Sequence, residues 1–337
     1  MKNLQQDKHF MQQAIEVSSQ ALGFTGSNPP VGAVLVQKRE GDIFITQAHT
    51  GVGGRPHAEA VVIAQAKKRG VSVKGATLYV TLEPCAHYGV TPPCAELLIK
   101  EKIARVVIAC QDPDQRVSGR GIALLQQAGT EVCLGVERAA AKKVLRYYFL
   151  QRLLGRPFVT VKLAVSGDGG IGLKGKGQTA ISGRESFVYR HLLRAQNDAI
   201  LIGANTALED DPLLTCRLEN VYKPKLLRVV IDKNLRLPLT SALVHSAVSH
   251  PLYIVCAADT ALEKQKLLQE KSVKILYGSY NNHLLELGNL LQKLAKLGII
   301  SLLVEGGADT ITHFLAAGLV DRLCVLENPS CSLGENA

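Results

Sequence analysis

Thr81-Leu-Glu-Pro-Cys-Ala-His-Tyr-Gly-Val-Thr-Pro-Pro-Cys94 is the stretch on which the reading of this chain turns. An apolar strand, Ala76–Thr81, runs into Pro84 and Cys85, and a Gly/Pro-bounded loop leads to Cys94 at the head of a predicted helix. Upstream stands Pro56-His-Ala-Glu59, where His57 opens another predicted helix that ends before Gly70. One imidazole and two thiolates are a set that a catalytic zinc takes, leaving its fourth position to water. Zinc lowers the pKa of bound water to roughly 7, which makes hydroxide available at neutral pH. Glu59, on the same helix as His57, is placed to carry a proton from that water to a leaving amine. A helix start also favours the thiolate at Cys94. A structural zinc site would want a fourth protein ligand. The nearest spare, His87, fits better as a substrate contact at the pocket mouth.

Working outward, the composition bounds the class. A chain of 337 residues suggests two domains at roughly 100–200 residues each. Apolar residues make up 47% and charged residues 20%, enough for two globular cores. No apolar run approaches the ~18 residues that span a bilayer. The charged start, Met1-Lys-Asn-Leu-Gln-Gln-Asp-Lys-His9, has no signal-peptide core, so a cytoplasmic protein is expected. Eight cysteines in such a chain do not imply a disulfide framework. Cys110, inside an apolar run, reads as a small buried hydrophobe. The formal charge of +10 is spread over both halves, and the longest basic run is Lys67-Lys68-Arg69. A nucleic-acid tract is usually denser, and a surface that attracts small phosphorylated anions is an equally good reading of this charge.

Strand and helix patterns alternate along the chain, which means α/β layers. In the first half, a helix around Phe10–Leu22 precedes strands at Val31–Val36 and Ile43–Thr46, and a long helix, Ala139–Leu154, closes the unit. Gly155-Arg156-Pro157 marks the expected boundary, giving domains 1–154 and 155–337. The second half restarts with the strand Phe158–Val165. It continues through a helix at Glu185–Ala195, strands at Ala199–Gly203, Leu227–Ile231 and Leu252–Cys256, a helix at Leu284–Leu297 and the strand Ile299–Val304. Gly167-Asp-Gly169-Gly-Ile-Gly172 has the letters of a dinucleotide fingerprint, but no helix opens after it. Glu305-Gly306-Gly307, between a strand and a helix, is the better phosphate-binding turn: glycines admit a close backbone approach and the helix start offers free N–H groups. An ordinary tight turn would look the same. Lys162 interrupts an apolar strand, and a lysine there needs a partner or a ligand.

The His57-Ala-Glu59 and Pro84-Cys85 pieces follow the signature of zinc nucleobase deaminases, but Cys85 and Cys94 stand much further apart than in P-C-x-x-C. With that spacing, Thr81 to Cys94 closely resembles the deaminase half of the bifunctional deaminase–reductases of riboflavin biosynthesis. So do Asn28-Pro-Pro-Val-Gly32, Pro56-His-Ala-Glu59, and Asp112-Pro-Asp114 through Gly119-Arg-Gly121. Lys162 to Gly169, Asp198 to Gly203, Asn205-Thr206, Glu209 to Arg217 and Val304 to Gly307 resemble the reductase half, in the same order.

The resemblance implies a cytidine-deaminase-like α/β/α domain followed by a dihydrofolate-reductase-like α/β domain, with Zn2+ and NADPH as cofactors. Its substrate would be a phosphorylated, nucleotide-like pyrimidine, 2,5-diamino-6-ribosylamino-4(3H)-pyrimidinone 5′-phosphate, deaminated first and then reduced at the ribosyl group. His57, Cys85 and Cys94 would hold zinc, and Glu59 and Lys162 would be catalytic. Asn28 and His87 would contact the pyrimidine. Ala164, Thr206, Asp210, Gly306 and Gly307 would contact NADPH, and Arg194, Leu214, Arg217 and Glu305 the second substrate. Lys162 and Glu305 would flank the ribose as a charged pair. A homo-oligomer is expected, without nucleic-acid or membrane partners. The chain departs from the family at Val90, where Lys or Arg is usual, and at Gln178 and Ala180, where many members have Ser and Trp. It also ends soon after Asp321–Glu327, so the last strand of the second sheet is expected to be absent or altered. Two rival readings follow: a nucleic-acid deaminase with a binding module, and a deaminase whose second half is a degenerate scaffold.

Overall fold

The computed structural model describes residues 2–39, 42–115, 117–171, 184–218 and 226–334. Gln178 and Ala180 lie outside the described residues, as does Gly172 of the glycine-rich stretch. The chain divides into two compact units, Met1–Gly155 and Arg156–Ala337.

In the first unit, α1 (Lys2–Ser19) buries Phe10, Met11, Ala14 and Val17 at helical spacing. There follow β1 (Gly32–Arg39), β2 (Asp42–His49), α2 (Ala58–Lys68), β3 (Thr77–Leu82), α3 (Cys94–Lys100), β4 (Arg105–Cys110), α4 (Arg120–Gln127), β5 (Glu131–Leu134) and α5 (Arg138–Leu154). They build a sheet of order β2-β1-β3-β4-β5. β1 runs antiparallel to β2 and β3, while β3, β4 and β5 are parallel. β3 and β4 are buried on both faces, so their sequences are nearly unbroken apolar runs. β2, at the edge, buries Thr46 and Ala48 and packs Phe44 partly buried against the core. The chain leaves β3 just before Cys85, so the cysteine loop sits at the carboxyl end of a central parallel strand, where α/β sheets place their ligands.

The second unit contains β6 (Phe158–Ser166), α6 (Arg184–Ala195), β7 (Ala199–Gly203), α7 (Ala204–Asp210), β8 (Leu227–Ile231), α8 (Ala242–His245), β9 (Leu252–Cys256), α9 (Leu262–Glu270), β10 (Lys274–Tyr277), β11 (Tyr280–Asn281), β12 (Leu284–Leu285), α10 (Leu287–Lys296), β13 (Ser301–Val304), α11 (Ala308–Ala316) and β14 (Arg322–Asn328). The main sheet has order β10-β9-β8-β7-β13-β6-β14, and all its pairs are parallel. Two apolar clusters flank it, one around Ile200, Ile202 and Leu243, the other around Leu201, Leu290 and Phe314. Arg228 of β8 is fully buried. It donates to the carbonyls of Leu213, Leu243 and His250 and to Ser246, which pins the segment leading to Leu214. Burial lowers its guanidinium to about 10.

Two local expectations fail. The helix expected from Leu284 begins only at Leu287, because Leu284–Leu285 pair with Tyr280–Asn281 in a small hairpin. Asn282 and His283 turn it with φ of 45° and 67°, the left-handed pair that such tight turns need. The short helix α7 after β7 was not anticipated; its seven residues carry too little periodicity to be seen in sequence.

Candidate active sites

α2 and α3 begin beside one another in the first unit, with His57 preceding the first turn of α2 and Cys94 opening α3. His57 Nδ1 lies 3.3 Å from Cys94 Sγ and 3.6 Å from Cys85 Sγ, and the Cys94 backbone N–H donates to Cys85 Sγ at 3.2 Å. All three donor atoms fall within 4.8 Å of one another. Ligands about 2.0–2.3 Å from a tetrahedral zinc stand roughly 3.5–3.8 Å apart, so this set fits that metal. Hydrogen bonding from Cys94 and His57 holds the Cys85 thiol down to about 4 against burial. Its partner Cys94 is pushed up by that same bond and by burial. Glu59 is 4% exposed in the first turn of α2, and burial raises its carboxyl.

His57, Glu59 and Cys85 line a cavity of about 100 Å³ that also takes in Asn28 and His87. His87 is exposed at the rim. Gly54, at φ 88°, is what lets Asn28 in: a Cβ there would stand 2.1 Å from Asn28 Nδ2. The opposite wall was not foreseen. Glu83 accepts from the backbone N–H groups of Asp112, Gly119, Gly121 and Ile122, which ties the end of β3 to the start of α4. Gly121 permits that approach, since a Cβ would lie 2.1 Å from the Pro84 carbonyl oxygen. Asp112 accepts from Tyr148 of α5 at 3.1 Å, and burial pushes its carboxyl up to about 6. Arg152, one turn further along α5, lies over Tyr148 at 5.1 Å and 3.6 Å from Asp114. The one available sequence signal was the i, i+4 spacing of Tyr148 and Arg152 on an otherwise apolar helix face.

The second unit offers a cleft of about 240 Å³ at the carboxyl ends of β7 and β8. Thr206 and Gly307 line it, and the Gly307 N–H donates to Thr206 Oγ1 at 2.9 Å, joining α7 to the start of α11. Lys233 and Arg236 supply positive charge. Gly306 packs against Thr310, while Ala164 on β6 and Asp210 at the end of α7 do not line this cleft. Burial raises the Asp210 carboxyl. Leu214 is buried in the core at φ 52°.

The expected Lys162–Glu305 pair is not formed. Arg194 takes the Glu305 carboxylate instead, with Nε at 2.8 Å and Nη2 at 2.9 Å, and also donates to the Thr215 carbonyl. The planar guanidinium fork matches both carboxylate oxygens, which a lysine cannot do. Lys162 remains in the Glu305 field, and burial lowers its ammonium. Arg217 donates its backbone N–H to His191 Nδ1 at 3.1 Å.

Fold and constellation together define a zinc deaminase unit followed by a separate parallel α/β unit. Residues 4–110 match the cytidine and deoxycytidylate deaminase zinc-binding region, and residues 157–336 match the RibD C-terminal domain. The chain is 39% identical over 323 residues to the riboflavin biosynthesis protein RibD of Aquifex aeolicus, covering 96% of this chain and 87% of that one. Identity to the Escherichia coli RibD is 35%, over 98% and 90% of the two chains. The solved Acinetobacter baumannii RibD superposes with a TM-score of 0.86 at 34% identity, covering 99% of this chain and 90% of that one. A deaminase/reductase from Thermotoga maritima, named for diaminohydroxyphosphoribosylaminopyrimidine and 5-amino-6-(5-phosphoribosylamino)uracil, gives 0.85 at 31% over 99% and 89%. The chain belongs to the RibD family of bifunctional riboflavin-biosynthesis enzymes, a deaminase and a reductase in one polypeptide.

Proposed function

We propose that the first unit converts 2,5-diamino-6-ribosylamino-4(3H)-pyrimidinone 5′-phosphate to the corresponding uracil, and that the second reduces its ribosyl group to ribityl with NADPH. The convergence of His57, Cys85 and Cys94 beside buried Glu59 carries the first assignment. Zinc held by those three side chains supplies activation of water at neutral pH. Glu59, whose carboxyl burial raises, moves the proton that water loses onto the departing amine, and ammonia leaves as the ring C2 becomes a carbonyl. Asn28, held by its close fit on Gly54, and His87 at the rim orient the pyrimidine.

In the second unit the glycine turn, Thr206 and the cationic residues Lys233 and Arg236 suit a phosphorylated dinucleotide. Bound there, the nicotinamide would supply the hydride that reduces the ribosyl C1′. Lys162, whose proton affinity burial reduces, delivers the proton to the ring oxygen as the sugar opens. The absence of a dense basic tract favours this small phosphorylated substrate over nucleic acid, and we take the enzyme to act in the cytoplasm as a homo-oligomer. Mass analysis of products from the diaminopyrimidine nucleotide, with and without NADPH, tests the pair of reactions. A gain of the ribityl product without prior loss of ammonia would overturn the order. Metal analysis tests the ligands: Cys85→Ser is expected to lose bound zinc, and unchanged zinc content would remove Cys85 from the set.

A further inference from the structure

The loop that carries Cys85 to Cys94 contains no lysine or arginine. Its tip is Gly89-Val90-Thr91, all three exposed, with Val90 at 84%. A cation nevertheless reaches that tip from another segment. Arg55, two residues before His57, donates through Nη1 to Thr91 Oγ1 at 2.8 Å. Its Nη2 lies against Gly89, where a Cβ would stand 3.3 Å away. The near side of the tip is held by the Tyr88 hydroxyl, which donates to Glu96 at 2.5 Å. The guanidinium is thus seated on an anchored loop at the mouth of the first cavity.

Charge and hydrogen-bond accounting then single Arg55 out. Among the described residues, Glu59, Glu83, Asp112 and Asp114 line that cavity against two guanidiniums, Arg55 and Arg152. Arg152 is engaged, 3.6 Å from Asp114 and stacked on Tyr148. Arg55 has no carboxylate within ion-pair distance among the described residues, and Thr91 is its one hydrogen-bond partner there. A guanidinium carries five N–H donors in a planar fork, so most of those on Arg55 are open to a ligand. Chemistry places that ligand. The amino-bearing ring carbon must reach the zinc ligands and Glu59, whereas a phosphate is costly to bury and stays at the mouth. There the carboxyls of Glu83, Asp112 and Asp114 repel it. Arg55, which follows the Gly54 that Asn28 packs on, attracts it.

We propose that Arg55 recognises the anionic 5′ end of the deaminase substrate, supplying from outside the cysteine loop the cation that the loop lacks at Val90. The inference rests on the deaminase reading above.

The test is steady-state deamination, by the zinc-loaded full chain, of the diaminopyrimidine nucleotide and of its dephosphorylated counterpart. Zinc content and reduction by the second unit are the folding controls. Arg55→Gln is expected to raise KM for the phosphorylated substrate about 10–100-fold with little change in kcat, the usual worth of bonds to a charged group. The dephosphorylated substrate should be unaffected. Adding Val90→Lys to Arg55→Gln returns a cation to the loop without the bond to Thr91, and should recover part of the loss. An unchanged KM in Arg55→Gln, an equal rise for both substrates, or a loss that Val90→Lys leaves untouched overturns the proposal and reduces Arg55 to a clasp on the loop. A wild-type chain that deaminates neither compound removes the deaminase reading instead. Calorimetric binding of the two compounds to the zinc-loaded chain then decides Arg55 alone. A preference for the phosphorylated compound that Arg55→Gln loses supports the proposal; equal preference in both proteins, or none in either, overturns it.

Discussion

The two sites are electrostatic opposites. In the first unit Glu59, Glu83, Asp112 and Asp114 gather at one cavity, and burial pushes Glu59 and Asp112 toward their protonated forms. In the second, Lys162, Arg190 and Arg194 crowd one carboxylate, and burial pushes Lys162 and Arg190 toward losing protons. An acid-rich pocket beside three zinc ligands is suited to a doubly charged cation and to a carboxyl that passes protons. A cluster of cations is suited to holding a phosphorylated substrate and to an ammonium that gives up its proton. Each unit stores the charge that its own ligand neutralises, so one polypeptide can run two unlike chemistries without either site resembling the other.

The sharpest way to break this comparison is to disable one proton carrier at a time. Glu59→Gln is expected to keep zinc and lose deamination by about 10²–10⁴-fold, the usual worth of general acid–base transfer. It should leave reduction of the deaminated nucleotide untouched. Lys162→Ala should do the reverse, abolishing NADPH oxidation at 340 nm while ammonia release continues. Loss of both activities in either variant would mean that the units do not work independently.

A somewhat smaller effect tests which pair organises the second site. Arg194→Leu leaves Glu305 as a buried carboxylate without its fork, which typically costs about 3–5 kcal/mol. Lys162→Ala removes no close ion pair and should cost clearly less, as read from denaturant unfolding. Equal losses would restore the Lys162–Glu305 pairing that the family resemblance implies.

That pairing shows where sequence reading stops. The zinc ligands were legible because metal chemistry fixes both residue type and reach: an imidazole and two thiolates must stand within a few ångströms, at element ends that Pro56, Pro84 and Pro93 mark. Strands β7, β8 and β9 were legible to the residue, being short apolar runs between clear breaks. Partners were not legible. Lys162, Arg194 and Glu305 come from β6, α6 and the end of β13; the β6–β13 register, with Val304 beside Val161, brings Lys162 alongside Glu305, yet the cation that meets the carboxylate comes from α6. Tyr148 and Arg152 were missed for the same reason: they reach the first cavity from α5, far in sequence from the ligands. The hairpin at Tyr280–Leu285 was hidden because its left-handed turn is made by Asn282 and His283 rather than by a glycine.

The mildest prediction concerns the acid wall of the first unit. Asp112 has a carboxyl at about 6 in the folded chain against an ordinary 3.8, chiefly because it is buried, with Asp114 and Glu83 adding to the rise. The Asp114 N–H and the Tyr148 hydroxyl stabilise its charged form but do not outweigh burial. A group raised on folding favours the native state below its unfolded pKa, and that contribution disappears as pH climbs through the folded value. Two pKa units at about 1.4 kcal/mol each set a ceiling near 3 kcal/mol, reached between roughly pH 4 and pH 6 and above. Asp112→Asn has no proton to lose there. The stability of the wild-type chain relative to Asp112→Asn should therefore fall as pH rises from 4.5 to 7.5, by up to about 2 kcal/mol. Zinc binding also varies over this range, but it varies in both proteins and cancels in the difference. Denaturant unfolding of the two full chains across the range makes the measurement. A difference that stays flat with pH would place the Asp112 carboxyl back at its ordinary value and leave Glu59 as the one acid of this cavity held toward its protonated form.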